Sequence, residues 1–133
     1  MKDKKFLRVL DYLDHISKAI SQIENYVEGV DQATFLHSAM LQDAVIRNIE
    51  IIGEAANNIL NRDSEFEEKH PGLELRAAYA MRNALSHGYF TVNPLVVWST
   101  IRNDIPTLKR QVAEVLDRQR GALRKSSEAD KFR

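Results

Sequence analysis

The sequence predicts an all-α fold, an up-down bundle of four to five helices. Apolar residues recur every three or four positions over long stretches, the period of a helix with one buried face. No alternating, strand-like run is convincing, and only 5 Gly and 3 Pro punctuate the 133 residues. A chain this long forms one domain, and 44% hydrophobic with 29% charged residues is a globular composition.

Each element has its own signature. Phe6, Leu10, Leu13, Ile16, Ile20, Ile23 and Val27 make one long amphipathic helix, closed by Gly29. Asp31 is placed to cap the next segment. A second long helix, from about Ser38 to about Asn61, carries Leu41, Val45, Ile49, Ile52, Ala56 and Ile59 on one stripe. Residues 61–72 are polar and end in Pro-Gly, so they form a connection, with a short turn expected from the box Ser64-x-x-Glu67. A third helix starts near Leu73, with Ala77, Met81 and Leu85 as its apolar stripe. Asn93-Pro94 reads as a cap followed by proline at the first helical position. The helix it opens carries Leu95, Trp98, Ile101, Ile105, Leu108, Val112, Val115 and Leu116. Pro106 must kink or divide it. Gly121 is expected to end it, leaving residues 122–133 as a basic, flexible tail beyond a domain of residues 1–121.

Composition excludes several function classes. There is no Cys, hence no disulfide, thiolate metal site or cysteine nucleophile. No stretch approaches about 18 apolar residues, and the first residues do not read as a signal peptide, so a cytoplasmic, non-membrane protein is expected. The formal net charge is zero. It is unevenly spread: residues 109–133 hold 8 basic against 4 acidic side chains, and residues 1–108 hold 11 against 15. His15, His37 and His70 lack ligand spacing, so neither a metal nor another cofactor is expected.

Two polar constellations stand out. Asp43, Arg47, Glu50 and Glu54 form a continuous charged stripe on the second long helix, with acid–base pairs possible at i,i+3 and i,i+4. Two readings are open: a solvent-facing side held by salt bridges, or the polar wall of a cleft. Gly53 lies inside this helix, where glycine costs about 1 kcal/mol relative to alanine, which points to close approach of another element. The second constellation is Arg82, Asn83, His87 and Tyr89, gathered within about two turns at a helix end marked by Gly88. Histidine exchanges a proton near neutrality, and the arginine fork matches phosphate oxygens. Together they can cleave RNA without metal: histidine removes the 2′-hydroxyl proton and arginine stabilises charge developing at phosphorus. The alternatives are a capping histidine and an arginine paired with Glu50 or Glu54.

The run Arg82-Asn83-Ala84-Leu85-Ser86-His87-Gly88-Tyr89 resembles the R-x-x-x-x-H-x-Y signature of HepT-like toxins, within the HEPN superfamily. The resemblance extends to the block 44–55, to Tyr89–Asn93 with Val97-Trp98, and to Ile105-Pro106, covering roughly residues 3–116. It implies a HEPN-like bundle that forms a homodimer and joins two motifs in one cleft. It implies a metal-independent endoribonuclease toxin of a type VII-like toxin–antitoxin system, acting on RNA. Arg82 and His87 would be catalytic, with Asn83 supporting them. Asp43, Arg47, Glu50 and Glu54 would line or brace the cleft. The implied partner is an MntA-like minimal nucleotidyltransferase antitoxin that neutralises the toxin by AMPylation of Tyr89. The alternative is a non-catalytic adaptor subunit of such a transferase.

Overall fold

The computed structural model describes residues 4–86 and 92–131. Among them every regular element is helical: α1 Lys4–Val27, α2 Gln32–Leu36, α3 Ala39–Arg62, α4 Phe66–Lys69, α5 Leu75–Ser86, α6 Pro94–Ser99, a π-helical turn Thr100–Asp104, and α7 Ile105–Lys131. The last three run on without a break, so four rods and two short helices make the bundle.

The ends of the first two rods follow from local chemistry. Gly29 takes φ +71°, a left-handed value open to glycine without a Cβ penalty, just beyond the end of α1. Asp31 Oδ1 accepts the Thr34 N–H at 2.8 Å and opens α2. That hydrogen bond holds the Asp31 carboxyl below its ordinary pKa. Ser38 Oγ accepts the Leu41 N–H at 3.2 Å and opens α3. The expected box at Ser64 does not form. α4 begins after Glu65 without a side-chain cap, and Glu67 turns to α5 instead.

The core lies between α1 and α3, with α5 and α7 closing its sides. Leu13, Ile16, Ile20, Ile23, Val45, Ile49, Ile52 and Ile59 are buried, as their spacing predicts. Phe35 fills the end beneath α6, its ring 5.2 Å from that of Trp98. Lys5 pairs with Asp63, so α1 starts where α3 finishes. Lys109 pairs with Glu24 and Arg120 with Asp14, so α7 runs back along α1. These exposed pairs report direction more than stability.

Three details depart from the sequence reading. Leu95 is half exposed and outside the core, as is its neighbour Val96. On α5 the buried positions are Leu75, Ala78 and Leu85, whereas Ala77 is exposed and Met81 only partly buried. Gly121 does not end α7, which continues to Lys131. Its flanks Ala122, Leu123 and Arg124 favour helix strongly enough to offset one glycine. Pro106 interrupts the α-helical ladder of the last rod without breaking the rod. It has no N–H for the preceding turn, and the ladder widens there: the Ile105 N–H bonds the Thr100 carbonyl, a π-type i→i+5 bond.

Candidate functional site

Helix α5 carries the first half of the polar cluster, and both its neighbours fix where it starts. The Glu67 carboxylate accepts the Arg76 N–H at 3.2 Å and Arg76 Nε at 3.0 Å. It thereby satisfies a donor of the first turn that has no partner within the helix. On the other side Gln111 of α7 accepts the Glu74 N–H at 3.2 Å, and its amide nitrogen donates to the Glu74 carboxylate at 3.3 Å. Leu73, Leu75 and Ala78 are buried beneath these contacts. The helix is thus anchored two turns before Arg82.

Arg82 leaves α5 on the side that faces α3. It is half-buried, and its Nη1 donates to Asn83 Oδ1 at 3.2 Å. Its stem rests against Gly53, the interior glycine of α3. A Cβ built on Gly53 would overlap Arg82 Cβ outright, would stand 2.8 Å from Arg82 Cγ, and would touch the Ala78 carbonyl oxygen at 3.4 Å. The close approach foreseen at Gly53 is therefore the crossing of α3 and α5, and Arg82 sits at that crossing.

The charged stripe of α3 divides by distance from this point. Glu50 lies one turn before Gly53, and Glu54 is its neighbour in the chain. Arg47 and Asp43 lie about 9 and about 15 Å back along the helix, at 1.5 Å per residue. All four are exposed. Among the described residues, none of the i,i+3 or i,i+4 ion pairs expected along this stripe forms, and Arg82 pairs with neither Glu50 nor Glu54. An exposed pair yields at most about 1 kcal/mol, so favourable spacing alone does not decide that it forms. The salt-bridged reading of the stripe is set aside. Around Arg82 the described residues leave an arginine fork tied to an amide oxygen and to no carboxylate. Such a fork retains its capacity to bind phosphate oxygens.

His87 and Tyr89 lie outside the described residues. α5 is described as far as Ser86, and His87 is the next residue in the sequence. The other histidines hold local roles. His15 meets the Tyr12 ring edge-on, with centroids 5.9 Å apart. His37 Nδ1 lies 2.8 Å from the Ala33 carbonyl oxygen. His70 packs on the Phe66 ring with centroids 4.4 Å apart, and its Nδ1 is buried without a hydrogen-bond partner among the described residues. Burial, then the nearby charges of Arg118 and Lys69, lower the His70 pKa against the opposing pull of Asp63. Among the described residues no three His, Asp or Glu side chains gather as a metal site, and no helix is long and apolar enough to cross a membrane.

A feature that sequence reasoning missed lies where α5 faces α7. A cavity of about 200 Å³ opens between α5 and α7, lined by Glu74, Ala77, Met81, Asp104, Thr107 and Gln111. Pro106, which widens the turn holding Asp104, was the one local sign of it.

The comparisons with known proteins fall on the same region. The Ribonuclease HepT-like family model matches residues 16–115, which include α3, α5 and the connection between them. A protein of Thermococcus cleftensis named "Probable ribonuclease HepT" is 43% identical over 99 residues, covering 74% of this chain and 87% of that one. A candidate RNase of Caldanaerobacter subterraneus subsp. tengcongensis is 37% identical over 109 residues, covering 82% and 95% of the two chains. A candidate RNase of Methanocaldococcus jannaschii is 32% identical over 101 residues, covering 76% and 90%. The comparison with solved structures gives no match.

Proposed function

The chain belongs to the Ribonuclease HepT-like family, and from that premise we propose that it is a metal-independent endoribonuclease whose reaction centres on Arg82 and His87. The observation that carries this is the setting of Arg82: stem lodged on Gly53, fork held by Asn83, and no carboxylate partner among the described residues. Glu50 lies one turn before Gly53 and Glu54 is its neighbour in the chain, yet neither engages the Arg82 fork, which stays open to a phosphate.

The chemistry follows from the groups. The His87 imidazole takes the proton of an RNA 2′-hydroxyl. The 2′-oxygen then attacks the adjacent phosphorus while the P–O5′ bond breaks, and the 5′-oxygen leaves with a proton from an acid. The guanidinium of Arg82 neutralises the charge growing on the non-bridging oxygens. The products are a 2′,3′-cyclic phosphate and a 5′-hydroxyl. In a homodimer the second motif supplies the acid, and a second Arg82 doubles the guanidinium groups available to the phosphate. Exposed Met40, Leu95 and Val96 supply apolar surface for that second copy.

Regulation is proposed at Tyr89. A minimal nucleotidyltransferase that adds AMP there would place a bulky anion two residues from His87, in competition with RNA phosphate for Arg82. The chain would then be the toxin of a toxin–antitoxin pair. The test is end-group analysis of RNA cut in EDTA. Cyclic phosphate ends are expected, and 3′-hydroxyl ends would contradict the mechanism. Binding to a transferase without any cleavage would instead support the adaptor role.

A further inference from the structure

We propose that Gly53 is a positioning residue for Arg82: the missing side chain on α3 is the seat that aims the guanidinium. This rests on the assignment of Arg82 to the ribonuclease reaction. Three observations support it. Gly53 is buried inside a 24-residue helix, where an alanine is intrinsically preferred. The atoms that any larger residue would meet are Arg82 Cβ and Cγ and the Ala78 carbonyl oxygen, so the steric demand comes from the backbone and stem of α5 and not from a flexible tip. The other described helical glycine, Gly121, has nothing within 4 Å of where its Cβ would lie, so the constraint at Gly53 is not a general property of helical glycines here.

The consequence is a defined coupling. With Gly53 in place, α5 lies against α3, and the first two carbons of the Arg82 side chain are pinned at the crossing. Only the outer part of the side chain remains to be oriented, and Asn83 Oδ1 takes that role through Nη1. An arginine pre-set in this way loses less freedom on meeting a phosphate, the condition for transition-state contacts to be effective. A methyl at position 53 must push α5 outward, because Arg82 Cβ is fixed to the backbone and cannot rotate away. A displacement of about 1 Å at a reacting group can cost on the order of 100-fold in rate.

The experiment is a double-mutant cycle on the full chain, read by kcat and KM for RNA cleavage and by Tm. Gly53→Ala is expected to lower kcat at least about 10-fold, with KM changed less than about 3-fold, and to lower Tm. In an Arg82→Gly background, where Cβ and Cγ are gone, Gly53→Ala is expected to leave Tm unchanged or raise it. That background also keeps the test readable if Gly53→Ala alone folds poorly. The Arg82 Nε–Hε resonance should shift in Gly53→Ala. Unchanged kcat in Gly53→Ala, or an equal loss of Tm with and without the Arg82 side chain, would overturn the inference. Full cleavage by Arg82→Ala has a different meaning: it removes Arg82 from the reaction and with it the premise, whatever the Tm cycle reads.

Discussion

At the scale of single residues, the proposed chemistry needs Arg82 for its shape as well as its charge. Lysine keeps the charge but loses the planar fork that meets both Asn83 Oδ1 and a phosphate. Arg82→Lys should therefore retain only a small fraction of the cleavage rate, and Arg82→Ala should lose about 10²–10³-fold, the range seen when one preorganised donor is removed. Steady-state kinetics on a labelled RNA checks both, and near-normal activity of the lysine variant would show that charge alone suffices. The sequence sets the candidate residues close together, because Arg82 and Asn83 are neighbours and His87 and Tyr89 follow within eight residues, and of these the structure describes the Arg82–Asn83 contact. What was not legible is what Arg82 rests on. Gly53 announced a close approach but not its partner, since the register of α3 on α5 is set by long-range packing between residues 29 apart. The acid–base pairs foreseen on α3 did not form, because spacing shows only that such pairs can meet. Among exposed side chains the gain is too small to decide that they do.

At the scale of elements, the rods were legible wherever apolar spacing and caps agreed. α1 and α3 fall within a residue or two of their expected ends, and Asp31 and Ser38 cap as their types suggest. The reading failed where a long-range partner overrode a local pattern. Glu67, which looked like half of a capping box, reaches Arg76 on the next helix instead. Gly121 looked like a stop, yet α7 passes through it with open space around the glycine. A direct consequence is that Gly121→Ala should stabilise the protein by about 0.5–1 kcal/mol, measurable by denaturant titration. A destabilisation there would mean that α7 needs the glycine after all. The core of the α1–α3 pair makes the opposite prediction. Ile49→Ala removes a fully buried side chain and should cost about 2–5 kcal/mol.

At the scale of the whole molecule, stability should respond to pH through His70. The His70 pKa is lowered in the folded protein, chiefly by burial. Above the ordinary histidine value of about 6.5 the ring is neutral in both folded and unfolded chains, and its contribution is fully present. As pH falls below that value the unfolded chain takes the proton first, so stability declines until the folded pKa is passed. Tm should therefore fall between pH 7.5 and pH 5.5, and His70→Gln should flatten that part of the profile. An unchanged slope in the variant would place the pH response elsewhere. The central claim is that Arg82 and His87 cut RNA without a metal ion. It is tested most directly by incubating RNA in EDTA with wild-type protein, Arg82→Ala and His87→Ala, after intact mass has shown Tyr89 to be unmodified. Cleavage by the wild type alone is the predicted result, and full activity in either variant would contradict the account.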